Sequence, residues 1–69
     1  MDTFTLNLAA CRVNAEMTQA ELGRKMGVNK ATISNWESGK TAPSVANLRK
    51  IGEICNFPME RIRLANDTK

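Results

Sequence analysis

Thr18-Gln19-Ala20-Glu21, followed at short range by Gly27-Val28-Asn29, confines this chain more than any other stretch of it. The Thr18 hydroxyl can accept from the free amides at the start of a helix. Glu21, one turn on, can reach back to the Thr18 amide, so both halves of a capping box are written here. Leu22 and Met26 supply the buried stripe of that helix. Gly27 ends it after about eight residues, because the residue past a last turn often takes the left-handed conformation that glycine adopts at little cost. Asn29 can then cap a further helix at once, with Lys30, Ala31 and Thr32 in its first turn, Ile33 and Trp36 turned inward, and Gly39 as its stop.

A link of only Gly27, Val28 and Asn29 between two helices is the turn of a helix-turn-helix, and the flanking sequence keeps the helical period. Phe4, Leu8, Cys11 and Ala15 recur at i, i+4, i+7 and i+11, one face of a first helix over about residues 5–15. After the polar loop Lys40-Thr41-Ala42-Pro43, Ser44 caps a fourth helix whose inward stripe is Leu48, Ile51 and Cys55, with Asn56 as terminator. Pro58 suits the first turn of a short last helix carrying Met59, Ile62 and Leu64, and residues 66–69 are expected to fray. No stretch alternates β-branched and aromatic residues with period two. The expectation is an all-α, five-helix domain over residues 1–69, its second and third helices forming the helix-turn-helix. A chain of 69 residues holds one hydrophobic core, so a second, catalytic or ligand-sensing domain is not expected.

Ten Lys and Arg against seven Asp and Glu leave a net charge of +3 and a pI near 9.2, an excess that suits a polyanionic partner. The absence of His removes the commonest metal ligand and the Ser–His and Cys–His nucleophile pairs. Cys11 and Cys55 make no CxxC pair, so neither a zinc site nor a thioredoxin-like motif is written, although a single long-range disulfide stays formally possible. Leu8-Ala9-Ala10-Cys11 spells the small-residue signal of a lipoprotein cleavage site. The start nevertheless carries Asp2 and Asn7 breaks the apolar run, where a secretory signal needs a basic start and about seven to fifteen apolar residues. No window approaches the roughly 18 apolar residues of a membrane span. A reducing cytoplasm is then the expected compartment, with both thiols as core packing and the four Met as scattered gap-fillers. No catalytic residue, metal or cofactor is expected.

Thr18-Gln19-Ala20-Glu21-Leu22-Gly23, Gly27-Val28, Ile33-Ser34-Asn35-Trp36-Glu37-Ser38-Gly39-Lys40, Pro43-Ser44 and Leu48 together resemble the lambda-type Cro and repressor family of helix-turn-helix DNA-binding domains. The likeness runs over about residues 6–62. It departs from the family's pattern at Gly23, where Ala is usual, at Trp36, where an aliphatic residue is common, and at Arg61, a place often apolar. The resemblance implies a sequence-specific, double-stranded-DNA-binding transcriptional regulator, Cro-like, that represses by occluding a promoter. The alternative is an antitoxin that neutralises a partner toxin while binding its own operator.

With Ile33 and Trp36 inward, Lys30, Ala31, Ser34 and Asn35 project where a recognition helix meets the major groove, and Thr32 stands beside them. Asn35 can pair with adenine, Lys30 can donate to guanine N7 and O6, and the Ala31 or Thr32 methyl can pack on a thymine methyl. On an isolated helix the same residues would read as a solvated polar face. The second helix should set its N-terminus against the phosphate backbone through Thr18 and Gln19, and the resemblance gives Gln19 such a contact. Lys40, Thr41 and Asn47 are further phosphate candidates, while Arg24 and Lys25 add long-range charge. One recognition helix reads few base pairs, so a weak homodimer, formed on a palindromic or pseudo-palindromic operator, is expected. Phe57 and Met59, apolar and without an obvious core duty, are placed at its two-fold contact. Arg12 follows core Cys11 and Glu37 follows core Trp36, so each leaves its helix at the rim of the apolar stripe. The resemblance implies a partly buried ion pair between them.

Overall fold

The computed structural model describes residues 5–65, so Phe4 and the tail at 66–69 lie outside the described residues. A short strand, β1 (Leu6–Asn7), runs directly into α1 (Leu8–Asn14), followed by α2 (Gln19–Met26), α3 (Lys30–Ser38) and α4 (Val45–Cys55). A single 3-10 turn, Met59–Arg61, then leads into β2 (Ile62–Arg63). The two strands pair in parallel, Leu6 opposite Ile62 and Asn7 opposite Arg63.

Every α-helix begins on a side-chain oxygen that satisfies an amide of the first turn. Asn7 accepts from the Ala10 amide at 2.7 Å, Thr18 from Glu21 at 3.1 Å, Asn29 from Thr32 at 2.9 Å and Ser44 from Asn47 at 3.1 Å. The three longer helices end in left-handed residues: Gly27 at φ 76°, Gly39 at φ 87° and Asn56 at φ 57°. The inward stripes converge on one cluster of Leu8, Cys11, Leu22, Met26, Ile33, Trp36, Ile51, Cys55 and Ile62. Both thiols are free and buried in it.

The helix-turn-helix is held by a close backbone approach. The Val28 amide donates to the Gly23 carbonyl at 2.9 Å, and a β-carbon on Gly23 would stand 2.8 Å from the Val28 carbonyl oxygen. Gly23 therefore lets the turn fold back on α2, immediately before α3 begins. α4 shows a second approach of this kind, which nothing in its stripe announces: a β-carbon on Gly52 would lie 2.8 Å from the Phe57 carbonyl oxygen.

The five-helix, all-α expectation is corrected here. There are four α-helices among the described residues, and the expected last helix is only the turn Met59–Arg61 before an extended strand. Pro58 is itself extended (φ −59°, ψ 128°), so it precedes the turn instead of opening a helix. Met59 and Ile62 stand at i and i+3, a spacing that a 3-10 turn satisfies as well as an α-helix does. Burial decides between them: Ile62 reaches the core by lying beside Leu6, which requires an extended backbone at both residues. The same pairing shortens the first helix, expected from about residue 5, since Leu6 and Asn7 are in the strand and Asn7 becomes the cap of α1.

Candidate nucleic-acid interface

α3 carries the candidate reading face, and its two sides are chemically opposite. At about 100° per residue, Lys30, Ala31, Ser34 and Ser38 fall on one arc and are exposed, while Ile33 and Trp36 point away from it and are buried. Asn35 lies at the edge of the exposed arc, half-buried. Its backbone carbonyl accepts from the Lys40 amide at 2.9 Å and the Ser38 hydroxyl at 3.2 Å, while its carboxamide makes no hydrogen bond among the described residues. Thr32 sits differently: it is half-buried on the far side of the arc, and its hydroxyl donates to Asn29 Oδ1 at 3.0 Å. The structure thus brings Lys30, Ala31, Ser34 and Asn35 together and sets Thr32 apart, at the cap.

The flanking candidates frame this face. Lys40 and Thr41 are exposed just past α3, with both backbone amides tied to the Asn35 carbonyl, so their position is fixed while their side chains are not. Asn47 is half-buried in the first turn of α4, where its amide donates to the Ser44 hydroxyl. At the start of α2 the capping box is complete: the Thr18 amide donates to Glu21 Oε1 at 2.8 Å and the Glu21 amide to the Thr18 hydroxyl. The backbone donation from Thr18 holds the Glu21 carboxyl below the usual range against a small opposing effect of desolvation, with the Thr18 side chain and the charges of Arg24 and Lys25 assisting. A carboxylate at this helix end offsets part of the attraction that free amides and the helix dipole would exert on a phosphate. At this helix end a side-chain donor such as Gln19 is therefore better placed than the backbone amides to meet an anion.

Gln19 is also where sequence reading missed a contact. Its amide nitrogen donates to Glu37 Oε1 at 2.9 Å. Glu37 Oε2 is 2.6 Å from Arg12 Nε, Arg12 Nη2 donates to Glu37 Oε1 at 3.3 Å, and Arg12 Nη1 donates to the Met17 carbonyl at 2.8 Å. The Arg12 and Glu37 side chains are 15% and 9% exposed, so the pair is largely removed from water. One node thereby ties α1, the turn after it, α2 and the last turn of α3. A glutamine and a glutamate 18 residues apart give no periodic signal, which is why the contact was not legible.

Phe57 and Met59 are half-buried and pack against the core cluster, in contact with its edge. The exposed large apolar side chains among the described residues are Val13 and Val45. Grooves on the surface are lined by Glu16, Met17, Glu21, Arg24 and Lys25, or by Leu6, Ala10, Val13 and Asn14, away from the exposed arc of α3. None of these grooves is lined by a residue of α3, and an exposed polar helix face suits a groove-shaped partner better than a small molecule. No helix among the described residues is long and apolar enough to cross a membrane.

Comparison with known proteins agrees with this geometry. A family profile described as helix-turn-helix matches residues 8–62. Two uncharacterized helix-turn-helix-type transcriptional regulators of Archaeoglobus fulgidus are 38% and 39% identical, over 81% and 74% of this chain and 80% and 72% of theirs. The helix-turn-helix-type transcriptional activator BcrR of Enterococcus faecalis is 29% identical over 86% of this chain, which spans only 29% of that longer relative. No solved structure matches the chain.

Proposed function

The chain belongs to the Cro- and repressor-type helix-turn-helix family of transcriptional regulators, and on that premise we propose that it represses transcription by binding a specific duplex site and occluding a promoter. The observation that carries this reading is the exposed arc of α3. Lys30, Ala31, Ser34 and Asn35 present an ammonium, a methyl, a hydroxyl and a carboxamide on a helix whose opposite side is locked into the core by Ile33 and Trp36. These are the groups that discriminate base edges in a major groove, at about 1–3 kcal/mol for each good bidentate pair. Gln19, Thr18, Lys40, Thr41 and Asn47 hold the backbone on either side. Binding of this kind needs no catalysis and no cofactor, and it takes place in the cytoplasm, where the operator is.

Two copies act together on a palindromic or pseudo-palindromic site, with half-site centres roughly 34 Å or 10 base pairs apart. Phe57 and Met59, which cover the core edge, form the two-fold contact, and so small a contact gives a weak homodimer completed on DNA. Selecting bound duplexes from a random pool tests the reading. Recovery of paired half-sites at that spacing supports it, and failure to enrich any sequence at low salt overturns it. Transcription in vitro from a promoter overlapping the selected site then separates repression from activation, the role named for the Enterococcus faecalis relative. A rise in transcript would overturn the repressor assignment.

A further inference from the structure

Glu37 stands in the last turn of α3 but faces α1 and α2, and its carboxylate accepts from Arg12 through Nε and Nη2 and from the Gln19 amide nitrogen. A carboxylate offers only acceptors, so Gln19 must turn its nitrogen, not its oxygen, toward Glu37. One N–H of that nitrogen is then used and the second is left over. Gln19 is the first residue of α2, beside the helix end where an anion would sit, and it is half-buried.

We propose that Glu37 is a positioning residue for DNA binding: it holds the Gln19 carboxamide so that its second N–H meets a backbone phosphate, while Arg12 cancels the carboxylate's charge beside the polyanion. This rests on the DNA-binding reading above. A free glutamine side chain samples many rotamers and loses that freedom on contact, whereas one already fixed by Glu37 has little left to lose. Without Arg12, the carboxylate that orients Gln19 would repel the phosphate that Gln19 is oriented toward. The bidentate guanidinium contact removes that conflict, and the Met17 carbonyl holds the guanidinium in place.

The test is DNA affinity by fluorescence anisotropy, on a selected duplex and on shuffled ones, for wild type, Gln19→Ala, Glu37→Met and the double variant. Arg12→Met/Glu37→Met is included because it strands no charge, with urea melts to establish that each protein is folded in the assay. Gln19→Ala and Arg12→Met/Glu37→Met are each expected to weaken binding by about fivefold to tenfold on every sequence alike, and Glu37→Met by less, because the Arg12 charge it frees attracts the polyanion. Glu37→Met in the Gln19→Ala background should add less than about twofold, and Arg12→Met/Glu37→Met should match Gln19→Ala. For Gln19→Ala and Arg12→Met/Glu37→Met, which leave the net charge unchanged, the dependence on salt should stay as in wild type, since a neutral amide releases no counterion. Additive losses, a relaxed base preference or a flattened salt dependence would mean that Glu37 only braces α3, and no effect of Gln19→Ala would remove the contact it is said to serve; each overturns the inference. If wild type binds no duplex, or if Lys30→Ala and Asn35→Ala change nothing, the functional reading fails and the inference falls with it.

Discussion

At the scale of single residues, the Arg12–Glu37 pair has the highest stakes, because two charges that are mostly out of water must compensate each other's lost hydration. Their 15% and 9% exposure places them between an exposed pair, worth about 0–1 kcal/mol, and a fully buried one, where stranding a partner costs about 3–5 kcal/mol. A double-mutant cycle with Arg12→Met and Glu37→Gln, read by urea melts, is expected to give a coupling of about 1–3 kcal/mol. A value under about 0.5 kcal/mol would class the pair as a surface one. Cys11 gives a pH dependence. Burial first, and then the neighbouring Cys55 thiol, push its pKa from 9.0 to about 11, and burial raises Cys55 too. The unfolded thiol ionises first as pH rises, so the folded state binds more protons and stability falls. The contribution is fully present below about pH 9 and lost on the way to pH 11. The urea midpoint of wild type should drop across that window more steeply than that of Cys11→Ala.

At the scale of elements, the Gly23 backbone contact fixes the turn that joins α2 to α3, and with it the start of the helix that carries the proposed reading face. Gly23→Val puts a branched side chain where even a β-carbon would be 2.8 Å from the Val28 carbonyl oxygen. The expected cost is about 1–3 kcal/mol of stability, measured by urea unfolding, together with weaker DNA binding at temperatures where the protein remains folded. Lys30→Ala and Asn35→Ala act away from the buried Ile33 and Trp36 side of α3, and neither residue belongs to the core cluster. They should leave the melt within about 0.5 kcal/mol of wild type and relax the selected site at particular base pairs. Site profiles identical to wild type would show that the exposed arc reads no bases.

At the scale of the whole molecule, the net charge of +3 is small, so affinity must come from a few placed cations more than from a diffuse field. Lys40 is the cation nearest the C-terminal end of the reading helix, and its ammonium makes no ion pair among the described residues. Lys40→Ala should weaken binding to all sequences alike and flatten the plot of log affinity against log salt by about one unit. An unchanged slope would place Lys40 away from the phosphates. Assembly is the other property at this scale. Phe57→Ala with Met59→Ala should abolish cooperative binding to a two-half-site duplex while single-half-site binding persists, provided the melt shows that the core edge has survived.

The local signals were legible because they act within one turn of helix. Thr18, Asn29 and Ser44 sit three residues before the amides they cap, Gly27, Gly39 and Asn56 end helices by a backbone sign of their own, and the period of Ile33 and Trp36 alone sets which side of α3 is left for a partner. Asn7 carries the same signal, but the apolar period from Phe4 hid it by running a helix through the cap. Tertiary structure decided what depends on segments that meet only after folding. Met59 and Ile62 would serve a helix or a turn equally by spacing, and the turn won because Ile62 buries itself beside Leu6 from an extended strand. Gly52 is needed where α4 passes the Phe57 backbone. Glu37 reaches Arg12 across 25 residues and Gln19 across 18, a choice of partners that no periodicity carries, because loop closure and helix packing, not spacing along the chain, bring those side chains within hydrogen-bond range.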